Sequence, residues 1–423
     1  MKILHVAATA TGAPWMVALA REQQRLGHEV AAAIPSLDGG LGDELARAGI
    51  RAYAAPVDFL VSARGPLRKL VALVQLVRLL RRLRPDLVHS HIFGSVIAAR
   101  LASWLADTPL HFAGNVHPIS LESDLMRALD IGTAFCDART IASSTYTREL
   151  YAAHGVDAEL IFYAVDQSGH DPARADGARV RRELGLAPDA RVIGKIAYFY
   201  PPPRTQAVVP PILRGRGIKG HDVLLRAVPR VLESFPDAKF VLAGRGWDAQ
   251  GARYEASLKE LAQSLGVAHA VLFPGERSDV VDVLAAFDVS VHCSLSDNLG
   301  GTVESLLMER PMVVSDARGF ADTVLHEQTG LVVPKDDPIA LADAIVRLLR
   351  DRELAARLGR NGRAHMLSRF TLAHMVADTE ALLARTPLRR GYRLHVTLAR
   401  LLAAPFRLLP MALRARRALR GTG

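Results

Sequence analysis

The chain alternates short apolar runs with longer segments of helical period. Residues 2–8 (KILHVAA) read as a strand, followed by a loop with Gly12 and a helix ending at Gly27; the strand 29–34 comes next. Residues 67–83 place Leu67, Leu70, Val71, Val74, Val77 and Leu80 at helical spacing. Pro85-Asp86 then leads into a strand at 87–91, a helix at about 94–105 and a strand at 109–113. A strand at 139–144 precedes a helix from Thr145. Apolar strands separated by helices predict a parallel, doubly wound sheet. After a polar stretch at 166–190 the pattern restarts. Strands at 191–198, 239–244, 270–275, 289–293, 311–315 and 331–334 are interleaved with helices at 221–234, 252–265, 279–286, from Thr302, and at 338–350. The expected fold class is α/β: two Rossmann-like domains facing a central cleft at the carboxyl ends of their strands. The expected bounds are 1–165 and 191–370 for the domains, 166–190 for a linker, 371–387 for a C-terminal helix and 388–423 for a tail.

Composition agrees with this division. A chain of 423 residues exceeds one ordinary core, and 50% apolar with 23% charged residues is a globular balance. The two cysteines, Cys136 and Cys293, lie far apart, which argues against a disulfide framework or a zinc motif and for a reducing, cytoplasmic compartment. Thr9, Thr11, Gly12 and Pro14 interrupt the N-terminal apolar run, so it reads as strand, loop and helix rather than a signal peptide. No run approaches the roughly 18 apolar residues that span a bilayer.

The net charge of +10 changes the picture, because nine arginines and no acid lie between Leu388 and the end. There Arg393, Arg400, Arg407 and Arg414 recur every seven residues among leucines, while Pro405 and Pro410 divide the tail into shorter pieces. Residues 64–84 carry Arg64, Arg68, Lys69, Arg78, Arg81, Arg82 and Arg84, again without an acid. Both stretches suit an anionic membrane surface, which places the protein peripherally at the inner face of the cell membrane. With one tyrosine and one phenylalanine, the tail offers little base-stacking surface, so nucleic acid is not the expected partner.

Candidate chemistry concentrates in the second half. Residues 294–307 (SLSDNLGGTVESLL) run from a strand through a polar loop, Asp297-Asn298-Leu299-Gly300-Gly301, into a helix. Amides at such a helix start suit an anion, glycines allow close backbone approach, and Glu304 in the first turn suits two vicinal hydroxyls. The bland alternative is a turn in which Glu304 merely complements the helix dipole. The segment 198–218 holds five prolines without helical period and reads as a long loop bracketed by basic residues.

The stretch at 294–314 resembles the donor-binding motif of the retaining family-four glycosyltransferases, which have the GT-B architecture. Their pattern is a Glu, a glycine-rich turn, a second Glu eight residues later and a Pro-Val-Val strand. Glu304 matches the second Glu, which the resemblance assigns to the donor ribose. Gly300 and Gly301 match the turn that meets the donor sugar and phosphates. The first Glu position is Ser296, with Asp297 as the neighbouring substitute. Gly194-Lys195 and Lys219-Gly220 are similar to the family's two basic elements at the diphosphate, separated here by the Pro-rich segment; Lys195, Arg214 and Arg216 compete for the second charge. Gly275-Glu276-Arg277 resembles the turn that holds the base. Gly12 matches the N-terminal loop, and His117 the cleft histidine that contacts the donor sugar. His28-Glu29-Val30, Asp86 to His91 and Val165-Asp166 resemble further family junctions, so the likeness runs over roughly residues 2–385.

The resemblance implies transfer from a nucleotide-diphosphate sugar, with retention, to a glycan or lipid-linked acceptor in surface polysaccharide assembly. It implies no metal and no separate cofactor, in keeping with the absence of an Asp-x-Asp at a strand end. No hydrolase-type carboxylate pair, serine elbow or P-loop occurs. Two other readings remain open: a two-domain nucleotide-sugar epimerase, and a non-catalytic nucleotide-sugar-binding or membrane-scaffold protein on the same fold.

Overall fold

The computed structural model describes residues 1–59, 65–115, 117–203 and 209–388. Arg64, the centre of the Pro-rich segment and the arginine-rich tail beyond Leu388 lie outside the described residues. The chain divides into two compact units: Met1–Val165 joined by the chain from Leu372 onward, and Asp166–Thr371.

The first unit is built on β1 (Lys2–Ala7), β2 (Glu29–Ile34), β3 (Arg51–Ala54), β4 (Leu87–His91), β5 (Leu110–Asn115), β6 (Arg139–Ala142) and β7 (Ala158–Leu160). They form one parallel sheet in the order β3-β2-β1-β4-β5-β6-β7. Every residue of β4 is buried, as expected of a central parallel strand covered on both faces. Helix Pro14–Arg25 begins with proline at its first turn, after Gly12 and Ala13 in left-handed conformation. It buries Met16, Val17, Leu19 and Ala20 against the sheet. The C-terminal helix Leu372–Ala384 completes this unit: Met375, Leu382 and Leu383 enter the same core. Glu380 accepts hydrogen bonds from Gln23 Nε2 at 2.8 Å and His28 Nε2 at 2.9 Å.

The second unit repeats the plan with β8 (Val192–Ile196), β9 (Lys239–Ala243), β10 (Val271–Leu272), β11 (Val289–His292), β12 (Met312–Ser315) and β13 (Leu331–Val333). Their order is β10-β9-β8-β11-β12-β13, all parallel. The polar stretch 166–190 packs into this unit. Its helix Gly177–Glu183 inserts Val180 into a core with Phe287, Val241 and Met308, and Leu186 follows it there. In each sheet the winding direction reverses between two central strands, β1/β4 and β8/β11. Open α/β sheets bind ligands outside the carboxyl ends of such strands.

Candidate active site

At the β8/β11 switch point the local sequence explains the geometry. Helix His221–Ser234 starts from Gly220, which is left-handed at φ 64°. A Cβ there would come within 2.0 Å of the Cys293 carbonyl oxygen, so glycine alone lets this turn close on the end of β11. Two bonds stitch the turn down: Leu295 N–H to the Ile218 carbonyl at 2.8 Å, and Cys293 Sγ–H to the Gly220 carbonyl at 3.0 Å. Lys219 is thereby delivered to the polar loop after β11, where its Nζ lies 2.7 Å from Asp297 Oδ2.

That loop is itself pinned. Ser294 Oγ donates to Asp297 Oδ2 at 2.7 Å, and the Asn298 N–H to Oδ1 at 2.9 Å. Gly319 packs so closely on Asp297 and Asn298 that a Cβ would meet the Asp297 carbonyl at 2.1 Å. Leu299 is buried, Gly300 stands at φ 53°, and a Cβ on Gly301 would press His292 at 2.9 Å. Helix Thr302–Leu307 follows directly and carries Glu304. The Glu304 Oε2 atom is buried without a partner, and burial pushes its carboxyl pKa up.

Lys195 stands on β8, 1% exposed, and its Nζ has no hydrogen-bond partner. Burial pushes its pKa down; the Asp297 and Asp222 carboxylates oppose that shift and Lys219 reinforces it. His221 and His292, missed in the sequence reading, are buried beside the same cations and are held neutral, His292 at a pKa of about 3. Lys219 thus pairs with Asp297 while Lys195 stays without a hydrogen-bond partner, an electrostatic excess that suits an anion.

The other basic candidates are occupied. Arg216 is held by Asp222 at 2.8 Å and Asp336 at 2.6 Å, and Arg277 by Asp279 at 2.5 Å and Glu183 at 2.8 Å. Both guanidiniums are thus already engaged by acids of their own unit. Gly275 is left-handed, and its carbonyl accepts the Gly244 N–H at 2.9 Å. Beside this turn stand Tyr198, Tyr200 and Trp247, with Trp247 ring centres 4.9 and 5.2 Å from the two tyrosines. Tyr198 donates to Glu276 at 3.2 Å, and Lys219 Nζ lies 6.0 Å from the Tyr200 ring centre. The Tyr-x-Tyr spacing at 198–200 was the only sequence signal for this aromatic cluster.

Gly12 and His117 belong to the first unit. His117 Nδ1 accepts the Ile119 N–H at 3.2 Å, at the start of helix Ile119–Glu122.

Two family models match the chain: "Glycosyl transferase 4-like domain" over residues 11–164, and "Glycosyl transferases group 1" over residues 200–365. Among characterised relatives, D-inositol 3-phosphate glycosyltransferase of Nocardia farcinica is 29% identical over 300 residues, 69% of this chain and 60% of that protein. GDP-mannose-dependent alpha-(1-6)-phosphatidylinositol monomannoside mannosyltransferase of Mycobacterium tuberculosis is also 29% identical, over 65% of this chain and 68% of its own. The chain spans less than two thirds of several such relatives. Among solved structures, Anabaena Alr3699/HepE in complex with UDP and glucose superposes with a TM-score of 0.76 at 20% identity, covering 91% of this chain and all of that one. Sucrose-phosphate synthase of Thermosynechococcus elongatus follows at 0.72 and 18%, over 91% and 98% of the two chains. Two parallel-sheet α/β units, both family models in chain order, and these neighbours agree: the chain belongs to the group 1 glycosyltransferases, with the GT-B fold.

Proposed function

We propose that this chain transfers a sugar from a nucleotide-diphosphate donor, without a metal at the diphosphate and with retention of configuration. The carrying observation is Lys195, a buried ammonium with no partner beside the Lys219–Asp297 pair. An unpaired buried cation is costly unless a ligand completes it. A donor diphosphate does so, and both lysines then stabilise charge that grows as the nucleoside diphosphate departs. Glu304 accepts the ribose hydroxyls, and the Gly300-Gly301 turn lies along the sugar and phosphates. The acceptor attacks from the leaving-group face and passes its proton to a donor phosphate oxygen, so positioning and electrostatics replace a dedicated base.

Relatives named for phosphatidylinositol monomannoside and, in Rhizobium meliloti, lipopolysaccharide core support a lipid-linked acceptor, and one named for D-inositol 3-phosphate supports a hydroxyl-rich one. Among the described residues no helix is long and apolar enough to cross a membrane. Helix Pro66–Leu83, however, leaves Leu67 72% and Leu70 57% exposed, with Val71 and Val74 beside them, and Arg68 and Lys69 on the same turns. An apolar ridge with basic flanks fits the anionic inner face of the cell membrane.

A thermal-shift panel of nucleotides and nucleotide sugars, followed by donor turnover, tests the reading. The expected result is stabilisation by one nucleoside diphosphate and its sugar, with turnover. Stabilisation without turnover would favour the binding-only alternative, and no response to any nucleotide would defeat the proposal. For the surface, cosedimentation with phosphatidylglycerol vesicles should fall about tenfold or more in Leu70→Glu. Unchanged binding would remove the membrane assignment.

A further inference from the structure

Three histidines converge at the β1/β4 switch point of the first unit. His5 on β1 stands in register with His89 on β4, and His91, two residues on, projects from the same face of the sheet. One ring nitrogen from each lies within 4.8 Å of the other two. All three side chains are buried. A neutral imidazole keeps one ring nitrogen's lone pair available to a metal.

The hydrogen bonds assign one tautomer. Gln23 Nε2 donates to Glu380, so Gln23 Oε1 accepts from His5 Nε2–H, each at 2.8 Å. His5 Nδ1 is consequently an acceptor, and in the ion-free protein it takes the His91 Nε2–H at 2.9 Å; an ion at the common centre would replace that proton. One nitrogen held through an amide and a carboxylate, with the other presented to a common centre, is the usual setting of a ligating imidazole.

The spacing is close to what one ion requires. Ring centres are 4.2 Å apart for His89/His91, 5.2 Å for His5/His91 and 5.5 Å for His5/His89. Imidazoles on one ion, with bonds of about 2.0–2.1 Å and angles between square and tetrahedral, place their ring centres roughly 4.5–5.5 Å apart. Their nitrogens then lie about 3.3 Å apart, so the His5–His91 pair needs to open only by roughly 0.4 Å. A second, independent sign is unmet polar valence. The Nδ1 atom of His89 and the Tyr163 hydroxyl, whose ring is 6.5 Å from that of His91, are buried without a hydrogen-bond partner. Such atoms are rare in native proteins and call for an ion or water.

We propose that His5, His89 and His91 bind one borderline divalent d-block cation of the zinc type. Three neutral imidazoles without a carboxylate suit zinc, copper, nickel or cobalt and are poor ligands for magnesium or calcium. The ion ties β1 to β4 and, through Gln23 and Glu380, fastens the C-terminal helix Leu372–Ala384. None of its ligands belongs to the site around Lys195 and Lys219, so the proposal stands apart from the transfer reaction.

The test uses the full chain without a polyhistidine tag, stripped with chelator and titrated with Co2+. One equivalent should develop visible d–d bands of low coordination number, and one equivalent of Zn2+ should displace it. His89→Gln and His91→Gln should each bind about tenfold or more weakly. Should those variants fail to fold, anomalous scattering at the zinc edge from wild-type crystals soaked in Zn2+ locates the ion without any substitution. Absence of d–d bands at excess Co2+, or a zinc peak away from the three histidines, would overturn the proposal and leave only a hydrogen-bonded histidine chain.

Discussion

Replacing Lys195 with methionine should move stability and function in opposite directions. Methionine fills nearly the same volume, so the change removes little but the charge. The ammonium is 1% exposed, has no hydrogen-bond partner and has its pKa lowered by burial. Lys219 already pairs with Asp297, one of the two carboxylates whose field reaches Lys195. Relieving such a charge in the ligand-free protein should gain about 1–3 kcal/mol, a rise of roughly 2–4 °C per kcal/mol for a unit of this size. The sign with pH follows from linkage. A lysine whose folded pKa lies below its unfolded value leaves the folded state binding fewer protons, so wild-type stability rises with pH. The advantage of the variant should therefore be largest near neutrality and vanish as pH approaches 10.5. With ligand the order reverses: nucleoside diphosphate affinity should fall at least about tenfold, and transfer about 100- to 1,000-fold. Differential scanning fluorimetry with and without UDP and GDP, beside initial rates, reads both. A variant that melts lower than wild type without ligand and binds nucleotide normally would refute the reasoning.

Lys219→Met removes the partner of a carboxylate that is 3% exposed. It should cost about 2–4 kcal/mol in urea denaturation and lower transfer about 100-fold or more. Glu304→Gln should raise the donor KM and lower transfer. Because burial raises the carboxyl pKa, wild-type stability relative to this variant should decline as pH rises from 4.5 towards the folded value, followed by melting temperature. In the first unit, Asp137→Ala should cost about 3–5 kcal/mol by equilibrium unfolding, since it strips Arg100, His111 and Thr140 of a buried partner. Burial alone would raise the Asp137 pKa, but Arg100 and His111 hold it below the usual carboxylate value. Its contribution is thus complete above 3.8 and should be lost as pH falls through the folded value.

Long periodic segments were legible in the sequence, and short edges were not. Helix Pro66–Leu83 and helix His221–Ser234 appear within a residue of their expected bounds, because each carries an apolar stripe between clear stop signals. The edge strands Arg51–Ala54 and Ala158–Leu160 were missed: they are short and half exposed, and pairing with a neighbour makes them strands rather than any local pattern. The tight turns at Gly220 and Gly300-Gly301 were readable because φ > 0 and close approach select glycine. The status of the arginines was not. Arg216 and Arg277 each take one acid from nearby in the chain, Asp222 and Asp279, and a second that only the fold supplies, Asp336 and Glu183, whereas Lys195 is buried without a hydrogen-bond partner.

The same distinction separates a scaffold from a site elsewhere in the molecule. In the first unit Ser90 Oγ lies 3.0 Å from His111 Nε2, and His111 Nδ1 lies 2.8 Å from Asp137, the spacing of a serine hydrolase triad. Yet Ser90 and His111 are buried, and Asp137 is shared with Arg100 and Thr140. Arg100 in turn holds Asp130, which accepts from Tyr151 at 2.9 Å. A network that closes on itself gains nothing from a substrate, and its distances record how helix Phe93–Ala106 and helix Asp124–Thr133 are fastened to the sheet. The second unit shows the opposite condition. Lys195 Nζ and Glu304 Oε2 are as deeply buried, yet the folded chain leaves both unmet. Burial without satisfaction costs folding energy, and a ligand that meets both groups recovers it. An anion for the lysine and hydroxyl donors for the carboxylate are the two chemistries that one nucleoside diphosphate sugar brings together.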